Sequence, residues 1–142
     1  MISILIPTYN NLEYLKLCLK SLNKNSSFDH EIIIHVNDGS DGTLNFVKDN
    51  HLKHTISDDN IGLCSSINKA AKLVSNRYIL YSHDDMYFCP NWDKVLLDEV
   101  KSFNHDNFYL SGTMIEPNSG HIVCDFGADL NTFNEDELLS KY

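Results

Sequence analysis

Positive charge is scarce in this chain: 11 Lys and Arg face 20 Asp and Glu, leaving a formal net charge of −9, and no basic run interrupts the excess of acid. Binding to a nucleic-acid backbone needs clustered basic side chains, so that class is excluded, and so is an electrostatic patch for anionic lipid. With only 3 prolines and 6 glycines, no linker-like stretch breaks the sequence. The four cysteines, Cys18, Cys64, Cys89 and Cys124, form no CxxC and no Cys/His ligand pair. They read as reduced, mostly buried thiols of a cytoplasmic protein rather than as a disulfide or zinc framework. Long apolar runs are missing as well. The run from Ile2 to Ile6 is stopped by Pro7, far short of the ~20 residues of a membrane span, and has no basic segment before it. We therefore expect a cytoplasmic chain without transmembrane segment or signal, peripheral to a membrane at most through partners.

What the sequence does contain is alternation. Its 142 residues, 42% hydrophobic and 22% charged, suit one ordinary core. Short β-branched or apolar runs at Ser3–Ile6, Glu31–Val36 and Arg77–Ser82, with a weaker one at His54–Ser57, have the form of strands buried on both faces. Between them run helical stripes. Leu12, Leu15, Leu19 and Leu22 follow Asn10 and Asn11; Leu63, Ile67, Ala71 and Val74 follow Gly62; Trp92, Val95, Leu96, Val100 and Phe103 follow Pro90. A shorter helix begins near Ser40 or Asp41. Strand alternating with helix predicts an α/β fold: a mostly parallel sheet joined by right-handed crossovers, with helices on both faces. Further on, Phe108–Ile115 and Ile122–Phe126 are expected as strands about a Pro117-Asn118-Ser119-Gly120 turn.

The polar residues are not spread evenly. Each of the four expected strands runs into an Asp/Asn-rich turn: Thr8-Tyr9-Asn10, Asn37-Asp38-Gly39-Ser40, Asp58-Asp59-Asn60 and His83-Asp84-Asp85. In a parallel sheet these turns meet at the carboxyl edge, where open α/β folds bind ligands. Carboxylates gathered there repel one another unless a cation neutralises them, and a hard ion such as Mg²⁺ or Mn²⁺ suits oxygen ligands. Considered singly, the same residues are ordinary turn formers, and Asp41 and Asp58 read as cap or turn residues.

The turns also carry a resemblance. Ser3-Ile4-Leu5-Ile6-Pro7-Thr8-Tyr9-Asn10 resembles the opening strand and loop of the family 2 glycosyltransferases. Asn37-Asp38-Gly39-Ser40-Asp41-Gly42-Thr43 resembles their second-strand turn, and Asp59-Asn60-Ile61-Gly62 their third loop. Tyr78–Asp85 is similar to the strand ending in their DxD-type metal motif. All four occur in order and cover about residues 1–115. The resemblance implies a GT-A fold, Rossmann-like, that moves a sugar from a nucleotide-diphosphate donor, by preference UDP-linked, to an acceptor hydroxyl with inversion. It implies that Pro7, Thr8 and Tyr9 line the nucleotide pocket and that Asp38 accepts from the uracil imide. It further implies that Asn60 and Gly62 let backbone approach the nucleotide, with Asp84 beside it, and that Asp85, joined by His83, holds Mg²⁺ or Mn²⁺. Three positions depart from the pattern: His83 and Asn37 stand where acids are usual, and Ile67 stands where an Arg is frequent.

Inverting transfer also needs a carboxylate base for the acceptor hydroxyl. The late acids are Asp125, Asp129 and Glu135-Asp136-Glu137. Asp136 is the candidate base; the alternative reading of this cluster is a solvated helix N-terminus, where acids oppose the dipole. The resemblance thus divides the chain into a donor-binding core, residues 1–115, and the start of an acceptor-side region, 116–142, which ends before that region is complete. The acceptor, whether a glycan, a lipid-linked group or a protein, is not specified. A non-catalytic nucleotide-sugar-binding module is the competing reading. A receiver-type signalling domain would want an acid pair after the first strand, and a nucleotidyltransferase a Gly-rich basic loop; the chain has neither.

Overall fold

Strand β1 (Ile2–Tyr9) runs straight through Pro7 instead of stopping there. The reason lies in the neighbouring strands. β1 pairs in parallel with β2 (Glu31–Asn37) along nearly its whole length, but with β4 (Tyr78–Tyr81) only as far as Leu5. The Leu5 carbonyl accepts from Ser82 N at 3.0 Å on the β4 side. Pro7, two residues later, faces that same side, where pairing has already ended, so its missing N–H leaves no gap in a ladder.

The structure, a computed structural model, describes all residues from 1 to 142. They divide into two compact units, Met1–Leu22 with Phe28–Tyr87, and Asn23–Ser27 with Phe88–Tyr142. The first unit holds a four-stranded parallel sheet of order β3-β2-β1-β4, with β3 at Lys53–Ser57. Leu5 and Ile33 lie side by side in register and pack with Ala70 of α3 (Leu63–Ala70), flanked by Ile67, Ala71 and Val74. The opposite parity carries Ile4, Ile6, Ile34 and Val36, all fully buried. Helices α1 (Leu12–Asn25) and α2 (Thr43–Asp49) bring Leu15, Leu19, Leu22 and Val47 into the same core. The α/β architecture with covered sheet faces is the expected one. The Leu63–Val74 stripe is only in part α-helical: the α-helix ends at Ala70 and a 3₁₀ turn continues to Leu73.

At the amino edge of the sheet, Glu31 of β2 joins β1, β3 and the segment that leads into β4. Its carboxylate accepts from Ser3 of β1, from Lys53 of β3 at 2.6 Å, and from the backbone N–H and hydroxyl of Ser75, just ahead of β4, at 2.9 and 2.8 Å. The Lys53 ammonium, with these hydroxyl and amide donors, holds the Glu31 carboxyl down at about 2.

The second unit is built around α4 (Trp92–Ser102). Asp93 is fully buried and accepts from Ser27 N with both oxygens, at 2.9 and 2.8 Å, while Trp92 donates its indole N–H to Ser26. Only β5 (Ile115–Glu116) and β6 (Ile122–Val123) pair here, in parallel, and α5 (Glu135–Lys141) follows. The expected strand from Phe108 is therefore confined to Ile115–Glu116. Residues 108–114 have no partner strand, and β-patterning alone does not hold extended backbone without one. Of the cysteines, all free, only Cys18 is buried.

Candidate functional site

The strand order fixes where a ligand fits. The chain winds from β1 outward to β2 and β3, then returns to place β4 on the other side of β1. The switch point lies between the carboxyl ends of β1 and β4, where open α/β sheets leave a crevice. A cleft of about 330 Å³ opens at this carboxyl edge, walled by Pro7, Thr8 and Tyr9 at the end of β1 and by Asn60, Gly62, Leu63 and Ser66 beyond β3, with Asn11 and Asn37 between them and Asp84 reaching in from the β4 side.

Of the residues singled out in the sequence, Pro7, Thr8, Tyr9, Asn60, Gly62 and Asp84 line this cleft. Asp38 is not on its wall. Asp38 sits one step beyond Asn37 in a left-handed conformation, φ 62°, and its Oδ2 accepts from Asn10 Nδ2 at 2.9 Å and from Ser40 Oγ at 3.1 Å, so that Oδ1 is left for another donor. Asn10, on the cleft wall, returns its own Oδ1 to Gly39 N at 3.1 Å. Gly39 is required here: at φ +78°, a Cβ would lie 2.7 Å from Val36 Cγ1 and 2.9 Å from Leu44 Cβ.

The fourth turn separates its three polar residues. Asp84 enters the cleft and accepts from Asn11 Nδ2 at 3.2 Å. Burial raises its carboxyl above the usual range and the charge of Asp85 adds to this, while the Thr8 hydroxyl and Asn11 work the other way. Thr8 Oγ1 is itself buried and forms no hydrogen bond of ordinary geometry, so it acts on Asp84 by proximity alone. Asp85 is exposed beside it, and the His83 ring turns to the Tyr81 hydroxyl, Nε2 to oxygen 2.7 Å. Beneath this turn, Cys18 offers its thiol to the His83 carbonyl at 3.7 Å; burial, then Asp84 and Asp85, push that thiol up to about 12, so it stays protonated. Asp136 lies exposed in the first turn of α5, in the second unit, where Asn134 caps the helix through Glu137 N.

Asp41 is a cap, and for two helices. Its Oδ2 accepts from Leu12 N, the first residue of α1, at 2.9 Å, and its Oδ1 from Thr43 N, the first of α2, at 3.0 Å. Burial opposes its ionised form, but the bonds from Thr43 and Leu12 outweigh that and lower its carboxyl.

Asn10, Asn11, Asn37, Leu63 and Ser66 also line the cleft but were not among the predicted site residues. Ser66 carried a readable signal, since it stands four residues before the buried Ala70 on the face of α3 that meets the sheet.

A parallel α/β sheet with its cleft at this switch point is an arrangement of the GT-A class, similar to GT-A glycosyltransferase structures. The sequence model of Glycosyl transferase family 2 matches residues 3–128, and the chain belongs to that family. It is 30% identical over 105 residues to chondroitin synthase of Escherichia coli, covering 71% of this chain and 15% of that protein. It is 32% identical over 102 residues to the putative glycosyltransferase EpsH of Bacillus subtilis (strain 168), covering 68% and 29%. Among solved structures, S. aureus TarS 1-349 in complex with UDP aligns at 25% identity with a TM-score of 0.63, over 70% of this chain and 32% of that one. The chain thus spans less than a third of each of these relatives. No helix in it is long and apolar enough to cross a membrane.

Proposed function

We propose that this chain forms the donor side of an inverting glycosyltransferase that takes a UDP-sugar together with Mg²⁺ or Mn²⁺. The observation that carries the reading is the cleft at the carboxyl edge of the sheet, in which the Pro7–Tyr9 wall, the Asn60–Gly62 loop and the Asp84 carboxylate meet. A UDP complex of a similar structure supports the choice of base. In this reading residues 1–115 bind the donor and residues 116–142 begin the acceptor side, in a cytoplasmic enzyme that meets any membrane through partners.

Each residue then has a task. Tyr9 and Pro7 flank the base, and Asp38 Oδ1 accepts the uracil imide proton, its carboxylate already oriented by Asn10 and Ser40. Asn60 and Gly62 bring backbone close to the nucleotide. Asp85, joined by His83, is the residue that would hold the cation, and Asp84, placed beside the nucleotide, is a further oxygen donor within the cleft. The fit is chemical: burial and Asp85 raise Asp84, a strain that a cation relieves. Such a cation, when bound, offsets the charge that grows on the leaving diphosphate. The acceptor hydroxyl attacks the anomeric carbon from the face opposite the leaving group, and a carboxylate takes its proton; Asp136 is our candidate for that base.

The test is thermal-shift screening of UDP, GDP, dTDP and CDP with and without Mn²⁺. A ligand that binds only the folded state raises the melting temperature by mass action. UDP with Mn²⁺ should give the largest shift; no metal-dependent shift with any nucleotide overturns the reading. A chain that binds UDP-sugar but neither transfers nor hydrolyses it would instead be a nucleotide-sugar-binding module.

A further inference from the structure

Asn37, the last residue of β2, is only 4% exposed, and its side chain is fully engaged. Nδ2 donates to the Thr8 carbonyl at 3.2 Å and to Ser66 Oγ at 3.0 Å. Oδ1 accepts from Ser57 Oγ at 3.1 Å and from Ile61 N at 3.1 Å. Thr8 belongs to one wall of the cleft and Ser66 to the other, and Ile61 stands in the chain between Asn60 and Gly62 of that second wall. We propose that Asn37 is a positioning residue: its single amide holds the two walls of the cleft at a fixed separation and so shapes the seat of the nucleotide.

In this chain the amide is used in every direction it offers. Two donors and two acceptor directions are used at once. A carboxylate of the same shape keeps the acceptor half but turns a bare oxygen toward the Thr8 carbonyl, and a hydroxyl supplies one donor only. The side chains bonded to this amide are uncharged. Ser57 also meets His35 Nε2 at 3.2 Å, and His35 Nδ1 meets Thr55 Oγ1 at 2.7 Å. Burial, reinforced by Lys69, lowers the His35 pKa and keeps the ring neutral. With Thr55 donating to Nδ1 and Nε2–H donating to Ser57, the Ser57 proton remains for Asn37 Oδ1 or for the Asp59 carbonyl at 2.8 Å. The loop leading to Gly62 is thus tied to the sheet by bonds that all pass through or beside one amide. Buried bonds of this kind are costly to leave unmade.

This inference rests on the nucleotide reading of the cleft, and its test separates the two. Backbone amide exchange is followed by NMR in the free protein, alongside calorimetric titration with UDP and Mn²⁺. In Asn37→Ala the Ile61 amide should exchange roughly tenfold faster, while Ile33 and Ile34 in the sheet stay protected; UDP should bind roughly tenfold more weakly. Asn37→Asp should keep Ile61 protected through its acceptor oxygens, yet bind UDP more weakly because a bare oxygen then faces the Thr8 carbonyl beside the nucleotide seat. Should Asn37→Ala fail to fold, Ser57→Ala, which removes one partner of the same amide oxygen, gives the same readout at smaller amplitude. An Ile61 amide that exchanges at the wild-type rate, or a speed-up shared by Ile33 and Ile34, overturns the proposal. A wild-type protein that binds no nucleoside diphosphate overturns the donor reading, while Ile61 exchange still decides whether Asn37 fixes the wall.

Discussion

Asn10 and Asp38, 28 residues apart, grip each other across the ends of β1 and β2: the Asn10 amide donates to the Asp38 carboxylate at 2.9 Å, and its oxygen takes the N–H of Gly39 at 3.1 Å. Both residues are left-handed, φ 47° and 62°, a conformation that costs energy outside glycine and that Asn and Asp tolerate best. The pair therefore arrives at the site already oriented. Asn10→Ala should weaken UDP binding by about tenfold, the worth of one charge-assisted bond, and should also lower the melting temperature, because alanine tolerates the left-handed conformation poorly. Titration calorimetry on both proteins measures this; equal affinities would remove the orienting role.

Asp84 predicts two effects of opposite sign. Because burial and Asp85 raise its pKa, the folded state prefers it protonated, and ionisation at neutral pH costs stability. Asp84→Asn should thus melt higher than the wild type without metal, yet lose the Mn²⁺-dependent shift with UDP. On acidification, metal-dependent binding should fade at a pH above that of an ordinary carboxylate. Differential scanning fluorimetry with and without Mn²⁺ reads both signs at once.

Glu31 sets an acid limit. Its folded pKa of about 2 lies below its unperturbed 4.5, so its contribution is fully present above about 4.5 and is lost as the pH falls toward 2. Urea melts of wild type and Glu31→Gln between pH 6 and 2.5 should converge at the acid end, with the variant flatter and less stable at neutral pH. Parallel curves would show that the carboxylate charge is immaterial to the sheet.

Asp41 caps both α1 and α2. Removing a cap costs about 1 kcal/mol, so Asp41→Ala should lose about 2 kcal/mol in a chemical melt, and Asp41→Asn less, since its one oxygen can still serve one helix. A loss no larger than for a neighbouring exposed residue would mean that water replaces the carboxylate at both ends.

Much of this was legible before any coordinates. Apolar runs such as Glu31–Val36 and the Leu12–Leu22 stripe fix strand and helix by period, and the polar turns after them mark the carboxyl edge. Pro7 misled because proline forbids a ladder bond, not a strand, and only the early end of β4 makes that bond unnecessary. Residues 108–114 misled for the converse reason, being strand-like in pattern but without a partner. Asn37 was readable only as a missing charge. That its amide answers Thr8, Ser57, Ile61 and Ser66 depends on four segments meeting in space, which no spacing along the chain encodes.

Pro7 has a further consequence. A zip closes until it meets a tooth that cannot engage, and Pro7 is that tooth on the β4 side of β1. Any sequence change that lengthened β4 would find the Pro7 carbonyl but no N–H there to fasten upon, so growth of the sheet over the crevice would gain one ladder bond fewer. The opening is thereby guarded by covalent chemistry, and the loops around it are free to vary with whatever ligand the domain must hold.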